Sequence, residues 1–263
     1  KMREKVERVV RQYEPNLRCA LPVQEPLDFR GALPASQGQT TIIAADGSQI
    51  APDRHAAIHY CLINVGAIRS CQGSPEPPAI TVISRLLYGD QLYTPTGTIT
   101  SEALGTMRDL SERRALVDLV KAAPPPVITF TDGPLELWGG TENSESNDFR
   151  ESLRQYLEAL EELNRLGATT AGYVDKPAGN LMVRLLETLI TLEEDLPNLR
   201  KLHPLRGVSE QDLYFGLLRP GERSAVFALQ AYSTRHYSGA QALHFFYINV
   251  GRPGHPWLAR VEI

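Results

Sequence analysis

Three apolar segments rich in β-branched residues follow one another near the start of the chain, and no helical pattern separates them. They cover residues 40–45, 56–68 and 79–88. Each is a predicted strand, since β-branched side chains fit the pleated surface of a sheet. Strands that follow each other without a helix between them are typically antiparallel neighbours. The order therefore predicts an antiparallel three-stranded unit.

Beyond residue 100, helical and strand patterns alternate. Apolar residues recur at helical spacing in three segments: residues 101–122, 149–166 and 179–192. Two short apolar strands separate them, at residues 127–131 and 169–174. Strands that alternate with helices allow parallel crossovers. The whole order predicts an α/β fold with a ribonuclease H-like mixed five-stranded sheet flanked by helices.

The two ends of the chain add smaller elements. Residues 1–13 have a helical pattern, and a proline-dotted connector runs from Pro15 to Pro34. At the other end, a short helix is predicted over residues 211–218, followed by extra strands at residues 224–231, 242–250 and 257–263. We therefore expect an N-terminal helix and connector (1–38) and a main domain (39–263). The main domain divides into a core of about 39–193 and a C-terminal β extension of about 209–263.

Two aspartates follow predicted strands. Asp46 comes after the first strand and Asp132 after the fourth, and each precedes a glycine. In a ribonuclease H-like sheet these two strands are neighbours, so the two carboxylates are expected to meet at one edge. Carboxylate oxygens are the ligands that Mg²⁺ and Mn²⁺ prefer. The alternative is that both Asp-Gly pairs only begin turns, for which this dipeptide is common.

A third metal ligand is expected from the first long helix. Glu112 is the preferred candidate, with Glu102 and Asp118 as rivals. The alternative for Glu112 is an ordinary surface ion pair with Arg108, which lies four residues earlier on the same helix. Asp46, Asp132 and Glu112 together predict a catalytic site for phosphodiester hydrolysis with one or two Mn²⁺ or Mg²⁺ ions.

Several other residues are candidates for contact with nucleic acid. Lys176 follows the fifth strand, and Arg219 and Arg223 flank a Pro-Gly pair. A guanidinium can hold a phosphate through two hydrogen bonds, although solvated loop charges are an equal alternative. Tyr173 is a further candidate, but a strand tyrosine is more often part of a core. Trp138 and Trp257 could stack on unpaired bases, while packing is the commoner role for tryptophan.

The motifs at these positions resemble those of the NurA nucleases, from about residue 40 to the end. The resemblance rests on the order and spacing of five segments: Ala44-Ala45-Asp46-Gly47-Ser48, Thr131-Asp132-Gly133-Pro134-Leu135, Gly172-Tyr173-Val174-Asp175-Lys176-Pro177, Leu218-Arg219-Pro220-Gly221-Glu222-Arg223-Ser224 and Ala259-Arg260-Val261-Glu262-Ile263. It implies a ribonuclease H-like fold and Mn²⁺-dependent DNA cleavage, with 5′-to-3′ exonuclease and single-strand endonuclease action.

The same resemblance implies site residues and partners. Asp46 and Asp132 match the family's metal-binding aspartates, and Glu112 matches its helix glutamate. A further active-site histidine is implied after the Arg-Val-Glu-Ile segment, and His255 does not occupy that position. The implied partners are DNA, a second copy of the chain in a homodimer, and a HerA-type hexameric ATPase that feeds DNA ends to the nuclease during repair.

Composition constrains the remaining function classes. No segment approaches the ~20 apolar residues of a membrane span, no secretory signal opens the chain, and no phosphate-binding loop of the Walker kind is present. Three cysteines without ligand spacing predict reduced thiols in a cytoplasmic protein. The net charge of −4 leaves open a non-catalytic adaptor that binds DNA ends or the translocase. An RNA-guided slicer would need a guide-binding module, for which the chain has no room.

Overall fold

The computed structural model describes residues 1–34, 38–53, 55–94, 97–137 and 147–263. The chain divides into two compact units: unit 1 combines residues 1–36 and 172–263, and unit 2 covers residues 37–171. Strand β9 (Ala168–Asp175) contributes residues to each unit. The predicted domain boundaries at residues 38, 193 and 209 stay a prediction. Trp138 and most of the predicted loop at 139–147 lie outside the described residues.

The helices and strands have the following bounds. The helices are α1 (Met2–Gln12), α2 (Ser101–Lys121), α3 (Asn147–Arg165), α4 (Leu181–Ile190) and α5 (Glu210–Phe215). The strands are β1 (Cys19–Pro22), β2 (Gly31–Ala32), β3 (Thr40–Ile50), β4 (Tyr60–Gln72), β5 (Ala79–Tyr88), β6 (Tyr93–Thr94), β7 (Gly97–Thr98), β8 (Val127–Asp132), β9 (Ala168–Asp175), β10 (Glu222–Arg223), β11 (Phe227–Gln230), β12 (His244–Asn249) and β13 (Leu258–Glu262). The predicted strands and helices of the core are all present, with shifts of a few residues at their ends.

The predicted mixed sheet of five strands is confirmed. Its order is β9–β8–β3–β4–β5. β3, β4 and β5 are antiparallel neighbours, and β8 lies parallel to β3. Helix α2 begins after Thr100, whose side-chain oxygen accepts a hydrogen bond from the backbone N–H of Ala103. The fold is therefore α/β and ribonuclease H-like in arrangement, as the alternation of strands and helices predicts.

One face of the β3–β4 sheet carries the core of unit 2. Ile43 on β3 and Ile63 on β4 are buried, while Asp46 and Gly66 on the opposite face are exposed. Leu104 and Leu116 of α2 are also fully buried. Since side chains alternate between the faces of a strand, the buried face is the one that α2 covers, and Gly47 belongs to that face.

The prediction that β3 ends at Asp46 is wrong. The strand continues to Ile50, and Asp46, Gly47 and Ser48 all pair with β4. Gly47 does not have the positive φ that an Asp-Gly turn commonly uses, whereas Gly133, after β8, has φ +91°. Only the second Asp-Gly pair therefore ends a strand.

Unit 1 contains strands in the order β1–β11–β12–β13–β9. β1 lies inside the segment predicted as a connector, and all four of its residues are buried. Val6 and Val9 of α1 are fully buried. Lys5 Nζ donates hydrogen bonds to the carbonyl oxygens of Leu189 and Thr191, at 3.1 and 2.8 Å. The N-terminal segment is therefore part of unit 1.

Among the described residues, no helix has both the length and the apolar composition that crossing a membrane requires. Cys19, Cys61 and Cys71 are free thiols. Burial raises the pKa of the Cys19 thiol to about 12, against an opposing effect of the Arg184 charge.

Candidate metal and nucleic-acid sites

The strand register of unit 2 determines where the two aspartates lie. The parallel pairing of β3 with β8 runs as far as Ala45 opposite Thr131. Asp46 and Asp132 are the next residues on the two strands, and both are exposed. The two carboxylates therefore leave neighbouring strands at the point where the parallel pairing ends.

A glycine leaves room beside Asp46. Gly66 on β4 is its cross-strand partner, and a Cβ placed on Gly66 would have Asp46 O as its neighbour, at 3.9 Å. Directly opposed residues of antiparallel strands have side chains on the same face. Because Gly66 has no side chain, the space beside the Asp46 carboxylate stays open on that side.

Glu112 lies on α2 and is almost completely buried, with 6% of its surface exposed. A Cβ placed on Gly47 would be 2.5 Å from Glu112 Oε1, so the carboxylate occupies the space that a side chain at residue 47 would need. Burial is the main cause that raises the pKa of Glu112 to about 7, and the charge of Asp109 adds to it. The charges of Arg113 and Arg108 act in the opposite direction, and that of Asp46 raises the pKa further.

The two rival acids of the same helix are in different surroundings. Glu102 is exposed in the first turn of α2. Asp118 has a side chain that is 76% exposed, with Lys121 Nζ 3.4 Å away. Glu112 is thus the buried one of the three and the one in contact with β3, although its assignment as a ligand stays a prediction.

Arg108 adds a positive charge to this region. Its guanidinium donates two hydrogen bonds to Asp109, at 3.1 and 2.6 Å, and its Nε lies 3.4 Å from Glu112 Oε1. Burial lowers the pKa of Arg108, but the hydrogen bonds to Asp109 and the charges of Asp109, Glu112 and Asp46 raise it overall. Arg108 therefore balances part of the negative charge near β3.

A buried arginine ties α2 to the neighbouring elements of unit 2. Arg113 Nε donates a hydrogen bond to Tyr156 Oη at 2.8 Å, and that hydroxyl donates to the carbonyl oxygen of Leu135 at 2.9 Å. Leu135 follows Asp132 by three residues, so the chain beyond β8 is tied to α2 and α3. Sequence reasoning missed Arg113, but the sequence contains a signal: it stands at helical spacing between Leu110 and Val117, on the apolar stripe.

Within the part of the chain that the structure describes, no group of three or more His, Cys, Asp or Glu residues is arranged to hold a metal ion. The strand geometry gives a physical reason. Consecutive residues of a strand point to opposite faces, and Glu112 lies against Gly47 on the face opposite to Asp46. The donor chemistry nevertheless suits a hard cation, since Asp46, Asp132 and Glu112 all offer carboxylate oxygens.

The other candidate residues lie in unit 1. Tyr173 is half-buried on β9, opposite Val261 of β13, and burial together with the charge of Asp175 raises its pKa. Lys176 is exposed directly after β9, and its Nζ lies 3.9 Å from the ring centroid of Trp257. Their roles in DNA binding stay predictions.

The two arginines differ in their surroundings. Arg219 is exposed, and the turn that it begins is closed by a hydrogen bond from Glu222 N to Arg219 O at 3.0 Å. Arg223 donates two hydrogen bonds to the Glu25 carboxylate, at 2.9 and 2.8 Å, and also packs over the Phe29 ring. A phosphate would have to compete with Glu25 for Arg223 but not for Arg219.

Comparison with known proteins gives one family and two similar structures. The model of the NurA domain matches residues 40–263. The crystal structure of the NurA nuclease from Sulfolobus solfataricus is 9% identical, with a TM-score of 0.47, and the match covers 100% of this chain and 78% of that one. Endonuclease V of Ciona intestinalis, in complex with an inosine-containing DNA, is 12% identical with a TM-score of 0.24, covering 64% of this chain and 62% of that one.

No curated protein matches the chain. The family model, in contrast, extends from the first residue of β3 to the end of the sequence and includes both aspartates, Glu112 and the C-terminal strands. Because this match covers most of its residues, the chain belongs to the NurA domain family.

Proposed function

We propose that this chain is a divalent-metal-dependent deoxyribonuclease that processes DNA ends. The observation that carries the proposal is the placement of Asp46 and Asp132, exposed on adjacent strands one residue beyond the last parallel pair. Membership of the NurA domain family supports the same activity, because the resemblance of the motifs implies DNA cleavage.

The cofactor of the proposed enzyme is Mn²⁺ or Mg²⁺. Asp46, Asp132 and Glu112 would hold it, as the carboxylate chemistry of these residues permits. A bound divalent ion supplies charge neutralisation at the phosphodiester and lowers the pKa of a coordinated water. Asp46 and Asp132 are already exposed, whereas Glu112 must ionise and turn away from Gly47 to join them.

Arg108 has a charge-balancing role in this proposal. Its guanidinium is within 3.4 Å of Glu112 Oε1 and interacts electrostatically with Asp46. It can therefore offset part of the repulsion between carboxylates when Glu112 loses its proton. Arg113, which is held by Tyr156, keeps α2 in place while the Glu112 side chain moves.

The family resemblance adds the type of cleavage, the oligomeric state, the location and the partner to the same proposal. They are 5′-to-3′ exonuclease and single-strand endonuclease action, a homodimer, a cytoplasmic location and a HerA-type hexameric ATPase as partner. We place the contact for that ATPase outside the carboxylate cleft, such as on the N-terminal helix through Val10, because the cleft must stay open to DNA. Since Val6 and Val9 are buried within unit 1, only the charged side of α1 would be available for it.

The experiment is a cleavage assay on labelled single-stranded and duplex DNA with Mn²⁺, with Mg²⁺ and with a chelator. We expect cleavage with a divalent ion, none with chelator, and none by the Asp46→Asn variant. DNA binding without cleavage by the wild-type protein under every metal condition would overturn the proposal and favour the non-catalytic adaptor. Cleavage that persists in chelator would overturn the metal dependence.

A further inference from the structure

The chain between β12 and β13 forms an exposed turn on unit 1. It covers residues 250–257, and Arg252, His255 and Trp257 are all exposed. The turn lines an open cavity of about 740 Å³. An exposed aromatic residue beside cationic side chains is the combination that proteins use to bind single-stranded nucleic acid.

The tip of this turn is closed by backbone hydrogen bonds. Arg252 and His255 exchange two backbone hydrogen bonds, of 3.1 and 2.8 Å. Pro253 and Gly254 lie between them, and Gly254 has φ +80°, as a tight turn with proline in its second position requires. Gly251 precedes the tip, and a Cβ there would lie within 2.5 Å of Trp257 N. The backbone is therefore closely packed and allows only glycine at residue 251.

A buried asparagine fixes both ends of the turn. Asn249 Oδ1 accepts hydrogen bonds from the backbone N–H groups of Gly251 and Trp257, at 3.0 and 3.1 Å. Its Nδ2 donates to the carbonyl oxygen of Leu218 at 3.0 Å, and its own carbonyl oxygen accepts from Gly221 N at 2.8 Å. The turn that contains Arg219 is thus tied to the base of the β12–β13 turn.

Two consecutive residues orient the Trp257 side chain: Asp175, the last residue of β9, and Lys176, which follows the strand. Its Nε1 donates a hydrogen bond to Asp175 Oδ1 at 2.6 Å, and Lys176 Nζ lies 3.9 Å from the ring centroid. The tryptophan is nevertheless 42% exposed. A tryptophan that served only to pack would be more deeply buried, whereas a fixed and exposed indole is preorganised for stacking.

Lys176 is held in a conformation that costs energy. Among the described residues, it alone of the non-glycine residues has a positive φ, of 43°. Non-glycine residues in this region persist where the surroundings enforce them, and they concentrate at functional sites. Here the strained backbone places the ammonium group over the indole ring.

We propose that Lys176, Arg252 and Trp257 form a subsite for single-stranded DNA, which we name the Trp257 subsite. An unpaired base stacks on the indole face that Lys176 does not cover, and Lys176 and Arg252 contact the flanking phosphates. The proposal rests on the proposed function, since it assigns part of the substrate to this turn. It gives Trp257 a binding role in place of the packing role that its sequence context favours.

The test uses the two tryptophans of the chain, Trp138 and Trp257. In a Trp138→Phe background, Trp257 is the single tryptophan, so its fluorescence reports directly on stacking. Oligodeoxythymidine is titrated in chelator, which separates binding from cleavage. We expect saturable quenching. Affinity is measured by the anisotropy of labelled oligodeoxythymidine, which also works without a tryptophan, and it should fall by roughly 5- to 150-fold in Trp257→Ala, the range that loss of one base–aromatic stack gives.

Two further variants keep the test independent of folding. Lys176→Gly removes the ammonium but suits the positive φ, so it should fold at least as well as the wild type and yet bind the oligonucleotide more weakly. Tyr232→Ala is the matched control, because Tyr232 is another exposed aromatic residue of unit 1 beneath a cation, with Arg235 3.6 Å from its ring. This control should leave affinity and quenching unchanged.

The outcomes separate the subsite from the proposed function. If the wild type binds and cuts DNA while Trp257→Ala, stably folded by circular dichroism, binds as tightly, the subsite is overturned and the nuclease stands. If Trp257→Ala and Lys176→Gly both lose affinity and Tyr232→Ala does not, the subsite is supported, whether or not metal-dependent cleavage is observed. If quenching is equal for duplex and single strand, the assignment to unpaired bases is overturned.

Discussion

The carboxylate of Glu112 occupies the place where a side chain of Gly47 would lie, with Oε1 2.5 Å from an ideal Cβ at that residue. The contact joins α2 to β3 one residue beyond Asp46. It requires a glycine in the middle of a strand, where glycine otherwise weakens the structure. The relationship makes Gly47 part of the candidate site, although it has no side chain to contribute.

The first prediction concerns this contact. Gly47→Ala should displace Glu112 and also Arg108, whose Cγ would lie 2.6 Å from the added Cβ. The methyl group should hold Glu112 about 1 Å further from β3 when the metal binds, which should lower DNA cleavage by about 100-fold. The measurement is the initial rate of single-strand cleavage with Mn²⁺. Gly105→Ala is the matched control, since a Cβ at that position of α2 would have only ordinary contacts, 3.8 and 3.9 Å from the side-chain amide of Gln49. Equal activity of the two variants would mean that the position of Glu112 does not matter.

The second prediction concerns the two strand aspartates. Asp46→Asn and Asp132→Asn should each abolish cleavage with little change in melting temperature, because each removes a charged ligand but keeps the side-chain size. Asp118→Asn, exposed on α2, should cleave like the wild type. Near-normal cleavage by either strand variant with Mn²⁺ would show that the site lies elsewhere, and loss of activity in Asp118→Asn would move the helix ligand to that residue.

The order of strands and helices could be predicted from the sequence because local patterns report which residues are buried. The ends of strands are harder, as the two Asp-Gly pairs illustrate. Gly133 adopts a positive φ and β8 ends, whereas Gly47 stays extended and β3 continues to Ile50. The difference arises from tertiary contacts: β4 pairs with β3 as far as Ile50, and Glu112 of α2 fills the space above Gly47. A local pattern contains no information about these contacts.

Strand β1 illustrates a second limit. Cys19–Pro22 is short and ends in proline, so it resembles a loop, and its partner β11 begins about two hundred residues later. The pairing is decided by tertiary burial rather than by propensity. In the same way, the sequence could suggest Arg219 and Arg223 together, but only the structure reveals that Glu25 already binds Arg223.

The third prediction separates these two arginines. Arg219→Ala should weaken DNA binding and reduce the slope of log affinity against log salt by about 0.7 for single strands, since one phosphate contact is lost. Arg223→Ala should leave the slope unchanged and instead lower stability by about 1 kcal/mol, the value of a partly exposed ion pair. Salt titrations and urea melts of both variants provide the measurement. An equal change in slope for both would mean that Arg223 exchanges Glu25 for phosphate.

The fourth prediction concerns the partner. The family resemblance implies a HerA-type hexameric ATPase as partner, and in the proposed function that ATPase separates and feeds the strands. We expect slow single-strand cleavage and poor duplex digestion by the protein alone, and a large increase in duplex digestion when a HerA-type ATPase and ATP are added. Co-elution followed by digestion with and without ATP measures this. Absence of both association and stimulation would favour a self-sufficient nuclease.

The fifth prediction concerns pH. Burial, with the charge of Asp109, raises the pKa of Glu112 from 4.5 to about 7 against the opposing charges of Arg113 and Arg108. A carboxyl with a higher pKa in the folded state stabilises the fold while it is protonated. This contribution is complete below pH 4.5 and is lost as the pH rises to about 7. In chelator, the free energy of unfolding of the wild type should therefore fall by on the order of 2–3 kcal/mol relative to that of Glu112→Gln across that interval.

Urea melts at several pH values measure this difference in the free energy of unfolding. Asp118→Asn, which changes an exposed acid of the same helix, should follow the wild type. A constant difference between wild type and Glu112→Gln from pH 4.5 to 7 would mean that Glu112 ionises normally, and that it needs no ion to draw it out of its contact with Gly47.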